Sequence, residues 1–91
     1  MRLDLFLKIS RLIPRRSLAQ EFCDNSLVKV NGLAARSSKE VKAGDEIEIM
    51  RRDSILKVRV TSVPQNKQLA KAAAAEVYET LSNTVRTDPA Y

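Results

Sequence analysis

At Val28-Lys29-Val30-Asn31-Gly32 the apolar period of this sequence changes from helical to two, and it runs into Asn-Gly, the strongest short hairpin signal a chain carries. Both central positions of a tight hairpin require positive φ, a backbone region that asparagine and glycine enter most readily. The residues that follow keep the new period. Ile47 and Ile49 alternate with Glu46 and Glu48, and Leu56, Val58 and Val60 alternate with Lys57, Arg59 and Thr61, as half-buried antiparallel strands do, with a turn at Arg51-Arg52-Asp53-Ser54. The middle of the chain is thus predicted to be a small antiparallel sheet with one apolar face to cover.

Helices on either side can supply that cover. Leu3, Phe6, Leu7 and Ile9 recur at helical spacing in a stretch without Gly or Pro. Pro14 stops this helix and suits the first turn of a second, which carries Leu18, Ala19, Phe22 and Cys23 on one face and ends at Asp24-Asn25-Ser26. After Pro64, residues 65 to about 83 are rich in Ala, Lys, Glu and Gln, with Leu69, Ala73, Val77 and Leu81 four apart, which predicts a C-terminal helix and a frayed tail from Thr84. Ninety-one residues make one domain. The expected class is α+β: two short helices packed on a small antiparallel sheet, with residues 1–63 as the main body and 64–91 as helix and tail of the same domain.

Charge directs the functional reading. Sixteen Lys+Arg against eleven Asp+Glu leave a net +5. All of that excess lies before Pro64, because Pro64 to Tyr91 is balanced. Met1 to Gln20 holds Arg2, Lys8, Arg11, Arg15 and Arg16 against the single acid Asp4, a bias that points to a polyanionic partner. Lys29 and Arg36, on either side of the hairpin turn, are expected to add cations on the helix-pair side of the sheet. With aromatics at 4%, a base-stacking platform is disfavoured, so binding should rest on phosphates and shape.

Other chemistries fall away. No histidine and a lone Cys23 remove the usual zinc sets, the Ser-His and Cys-His dyads and any internal disulfide, so no catalytic residue, metal or cofactor is expected. Cys23 reads as a small core residue whose pKa nearby Arg16 and Lys29 could lower. Asp45, Glu46 and Glu48 read as a soluble face rather than a site. Apolar runs fall far short of the ~20 residues of a membrane span, and Arg2, Asp4 and Lys8 interrupt the N-terminus where a signal peptide would be apolar, so the expected address is cytoplasmic, away from the membrane. A DNA-binding helix-turn-helix regulator is the competing reading. Pro14 in the connection and a shortage of Asn and Gln base-readers on the second helix oppose it.

Five blocks stand in order: Arg2-Leu3-Asp4-x-x-Leu7, Arg15-Arg16-Ser17-x-Ala19, Val28-x-Val30-Asn31-Gly32, Arg36-x-Ser38 and Val41-x-x-Gly44-Asp45-x-Ile47. Together they resemble the S-four RNA-binding domain, with its alpha-L motif, over residues 2 to about 50. Followed only by a β-rich extension and one helix, the arrangement is similar to the stand-alone heat-shock protein fifteen family and its ribosome-associated quality-control branch. The resemblance implies a monomer that binds 23S rRNA on the large ribosomal subunit together with peptidyl-tRNA. It also implies support for rescue of stalled chains, or for a nascent-chain tailing factor that adds C-terminal alanines. An accessory module for an RNA-modifying enzyme is the alternative that the same domain suggests. Arg2 and Arg16 match arginines that the family uses on RNA backbone, and Arg36 matches a basic position after the hairpin. Ser26 stands where the family usually has glycine, so either it or Asn25 must take a left-handed conformation if the second helix ends that way.

Overall fold

The computed structural model describes residues 1–64 and 71–85. Helices α1 (Leu3–Ile9) and α2 (Arg16–Asp24) are followed by strands β1 (Val28–Val30), β2 (Leu33–Ala34), β3 (Glu46–Met50) and β4 (Ser54–Val60). A short helix α3 (Lys71–Ala74) then runs through a 3-10 turn (Ala75–Val77) into β5 (Tyr78–Val85). The five strands form one antiparallel sheet in the order β2-β1-β3-β4-β5.

Alternation sets the two faces of that sheet. Val28, Val30, Ile47, Ile49, Leu56, Val58 and Val60 point into the core, where Leu3, Phe6 and Leu7 of α1 and Ala19 and Cys23 of α2 meet them. The connection between the helices belongs to the same core. Pro14 lies outside both helices, and Arg15 is the extended residue from which α2 starts. The chain reverses at Arg11, whose φ is 62°, while Leu12 and Ile13 turn inward and are buried.

Asn31 (φ 52°) and Gly32 (φ 84°) make the hairpin turn, as the Asn-Gly pair requires. The asparagine also ties the turn to the next strand. Its backbone N–H donates to Glu46 O at 2.8 Å, its Oδ1 accepts from Glu46 N at 3.0 Å, and its Nδ2 donates to the buried Asp45 carboxylate at 3.2 Å.

α2 ends in a Schellman arrangement: Leu27 N donates to Phe22 O and Ser26 N to Cys23 O. Ser26 takes the left-handed conformation at φ 59°, while Asn25 stays at φ −93°. A side chain is therefore held where glycine would carry no Cβ strain.

The C-terminal third departs from the expected helix of 65 to about 83. Among the described residues of this stretch helical structure covers 71–77, and Tyr78 to Val85 pair with β4, from Tyr78 opposite Val60 to Val85 opposite Ser54. The Ala-rich start is a good helix former, but Tyr78, Thr80, Thr84 and Val85 suit a strand, and β4 would otherwise present a row of unpaired backbone groups. Ser82 faces Lys57 and Thr80 faces Val58, so Leu81 is the extra residue of a β-bulge. Val77 is buried as expected, but Leu81 is 37% exposed, and Leu69 lies outside the described residues. Of the expected frayed tail, Thr84 and Val85 belong to β5, and the rest lies outside the described residues.

Two stability measurements check this description. Ser26→Gly should raise unfolding free energy by about 0.5–1 kcal/mol in urea titrations, since relief of left-handed strain outweighs the added chain entropy. Val77→Ala should cost about 1–3 kcal/mol and Leu81→Ala under ~1 kcal/mol, whereas a continuous helix would make the two losses comparable.

Candidate nucleic-acid interface

Asp4 sits in the first turn of α1 with no exposed surface, and everything around its carboxylate donates to it. Gln20 Nε2 donates to Oδ2 at 2.8 Å and Arg16 Nε to the same oxygen at 3.3 Å. Arg2 donates from Nε to Oδ1 at 3.3 Å and from Nη2 to Oδ2 at 3.4 Å, and Leu5 N donates to Oδ1 at 2.8 Å. Burial acts to raise the carboxyl pKa, but the hydrogen bonds from Gln20, Arg16, Arg2 and Leu5 together outweigh it and hold the group below its ordinary 3.8. Both arginines stay half open to solvent, at 48% for the Arg2 side chain and 43% for Arg16.

The loop after β2 closes on the same corner. Leu3 N donates to Lys39 O at 2.8 Å and Asp4 N to Ser37 O at 3.1 Å, while Lys39 N closes a turn onto Arg36 O. Exposed Arg36 is therefore carried on a turn bonded to the first turn of α1, beside Arg2 and Arg16. Arg15, also exposed, caps the start of α2.

Lys8 and Arg11 lie at the opposite end of α1, half-buried and exposed respectively. Arg51 is drawn toward that end through its Nη2, which donates to Leu12 O at 3.4 Å. Lys29 is placed differently from the expectation. Alternation with buried Val28 and Val30 turns it to the sheet face away from the helices, opposite Glu48, which in turn faces Lys57. On that outer face Glu46 bonds Lys57 and Arg59, and Arg59 bonds Glu79. Lys57 first, and then Arg59, hold the Glu46 pKa below its usual value. Among the described residues, the outer face pairs Glu46 and Glu79 with Lys57 and Arg59, while Arg2 and Arg16 meet Asp4 on the helix side.

Three residues escaped the reading of the sequence. Asp4 stood in the Arg2-Leu3-Asp4 block and as the one acid among five cations, but no role of its own was read for it. Lys39 shares the Arg36-Ser37-Ser38-Lys39 turn, a short basic run legible in the sequence. Arg51 read as a turn residue, and only the fold brings it to Leu12. Cys23 is buried, and burial first, then Asp4 and Asp24, push its thiol up to about 11, the reverse of the lowering that nearby cations suggested. Among the described residues no group of three or more His, Cys, Asp or Glu side chains is placed to hold a metal. No helix among them is long and apolar enough to cross a membrane.

Residues 1–47, which hold both helices and the Arg2, Arg16 and Asp4 cluster, match a family model described as the S4 domain. The chain belongs to the S4 domain family. Among its relatives, the RQC P-site tRNA stabilizing factor of Streptococcus pneumoniae is 42% identical over 84 residues, covering 92% of this chain and 93% of that protein. The factor of the same name from Bacillus subtilis is 41% identical over 81 residues, 89% of this chain and 92% of the relative. The trimeric structure of Vibrio cholerae Heat Shock Protein 15 matches with a TM-score of 0.80 at 25% identity, over 90% of this chain and 82% of that one. The solution structure of a hypothetical protein matches with a TM-score of 0.79 at 33% identity, over 90% and 98%.

A lowered carboxyl pKa contributes stability that is complete above the unfolded value and is lost as pH falls through the folded one. Asp4 therefore strengthens the fold at neutral pH, and this contribution starts to decline as pH falls past the ordinary 3.8 and is lost through the lower folded value. Asp4→Asn should lose about 1–3 kcal/mol at pH 7 and show a shallower decline between pH 4 and pH 2 in urea titrations. An acid decline as steep as in the unaltered protein would assign that loss to other carboxylates.

Proposed function

We propose that this protein is a ribosome-associated quality-control factor that binds RNA through the helix-pair face. It holds peptidyl-tRNA on a large ribosomal subunit left obstructed by a stalled chain. The observation that carries this reading is the meeting of Arg2 and Arg16 on Asp4, beside the Arg36 turn, in a chain 42% identical over nearly its whole length to a P-site tRNA stabilizing factor. Half-exposed guanidiniums with spare N–H donors suit phosphate oxygens, which they contact in pairs. Arg2, Arg15, Arg16 and Arg36 form the main contact, with Lys8 and Arg11 extending it along α1. Lys29 lies on the opposite side of the sheet, apart from this contact.

The finer reading is supported by the similarity to P-site tRNA stabilizing factors. One part of the RNA contact is 23S rRNA and another is the tRNA, so that the protein steadies the tRNA while a separate tailing factor extends the nascent chain. The protein works as a monomer in the cytoplasm, by binding rather than catalysis. Residues 1–63 carry the RNA contact, and 64–91 complete the same domain.

Co-sedimentation with large subunits carrying peptidyl-tRNA tests this directly. Recovery should exceed that with vacant subunits, and log K against log salt should fall with a slope of roughly −3 to −5, as four to six phosphate contacts require. Arg16→Ala should weaken the complex by about 1–3 kcal/mol. It should shift the melting temperature little, because Arg2, Gln20 and Leu5 still satisfy Asp4. Binding indifferent to salt, or preference for duplex DNA, would sink the proposal.

A further inference from the structure

Within the RNA-binding reading, on which this rests, we infer that Asp4 is a positioning residue: its buried carboxylate sets the orientation of the Arg2 and Arg16 guanidiniums for RNA without touching RNA itself. An acid at the centre of a polyanion-binding surface is otherwise a liability, since it repels phosphate. Here it has no exposed surface and is covered by the groups it orients. Arg2 directs two of its five N–H donors to Asp4 and Arg16 directs one, so three and four donors respectively remain for other acceptors. Two cations held side by side also repel each other, and the shared carboxylate lies between them to offset that repulsion. Long arginine side chains lose rotamer freedom on binding, and anchoring them in the free protein removes part of that loss. Gln20 and Leu5 N fix the carboxylate in turn, so the pair is oriented by groups that are themselves built into α1 and α2.

Simple electrostatics and positioning make opposite forecasts for Asp4→Asn. Removing a negative charge raises the net charge by one and should tighten RNA binding if charge alone matters. Loss of orientation should loosen it.

The experiment compares the full chain, Asp4→Asn, Arg2→Ala with Arg16→Ala, and the triple variant. The probes are large subunits carrying peptidyl-tRNA and poly(U) as a shapeless polyanion, at one salt concentration, with melting curves recorded for each variant. Asp4→Asn is expected to weaken subunit binding about 5- to 10-fold while leaving poly(U) binding equal or tighter, and to have no further effect once both arginines are alanine. Gln20→Ala, which keeps the charge but frees the carboxylate, should weaken subunit binding about 2- to 3-fold and serves if Asp4→Asn does not fold. Subunit binding by Asp4→Asn or Gln20→Ala as tight as by the full chain overturns the inference alone. So does an Asp4→Asn loss that persists in the arginine-free background. An unaltered protein that prefers poly(U) to the subunits overturns the reading as a ribosome-associated factor and the inference with it.

Discussion

One buried carboxylate organises this molecule. Asp4 has no exposed surface, and an ionised group in that setting is tolerated only when donors replace the water it has lost. Its five hydrogen bonds come from two places: Arg2 and Leu5 at the start of α1, and Arg16 and Gln20 on α2. The requirement therefore draws the two helices together at one corner. Asp4 N, bonded to Ser37 O, brings the loop after the hairpin to the same corner. The cations that could meet RNA are gathered because an anion beneath them needs them.

The sheet separates that surface from a second, quieter one. Its inner face is closed by α1, α2 and the plug of Leu12 and Ile13. Its outer face pairs Glu46 with Lys57 and Arg59, and Arg59 with Glu79. Exposed pairs of this kind add little stability, but they cancel charge locally. The half-exposed Arg2 and Arg16 lie on the helix side, so the two faces present different charge patterns. β5 completes the separation by covering the edge of β4, and its bulge at Leu81 absorbs the register difference between the two strands.

How much of the site was legible depended on how local each signal was. Arg2, Arg16 and Arg36 could be named because they sit in short blocks next to periodic apolar residues. Their convergence on Asp4 joins residues twelve and sixteen positions apart through the packing of two helices, which no window of sequence contains. Lys29 was assigned to the wrong face because charge was read without its strand parity: flanked by two buried valines, it must point away from the helices. Cys23 is the small core residue that its place on the apolar face of the second helix predicted, and burial first, then Asp4 and Asp24, push its thiol pKa up.

The sequence by itself determined the hairpin at Asn31-Gly32, the strand pairs flanking Arg51-Arg52, the two leading helices and the excess of positive charge before Pro64. Each of these follows from backbone preference and apolar period within a few residues. Tertiary structure decided what local preference left open. Residues 78–85 became a strand because β4 had an edge to be paired, although the spacing of Val77 and Leu81 suited a helix. Ser26 took the left-handed position because the Schellman bonds at the end of α2 demanded it there. Asp4 became the centre of the arginine cluster because burial, which only the packed helices impose, turned an acid among cations into an acceptor that must be satisfied.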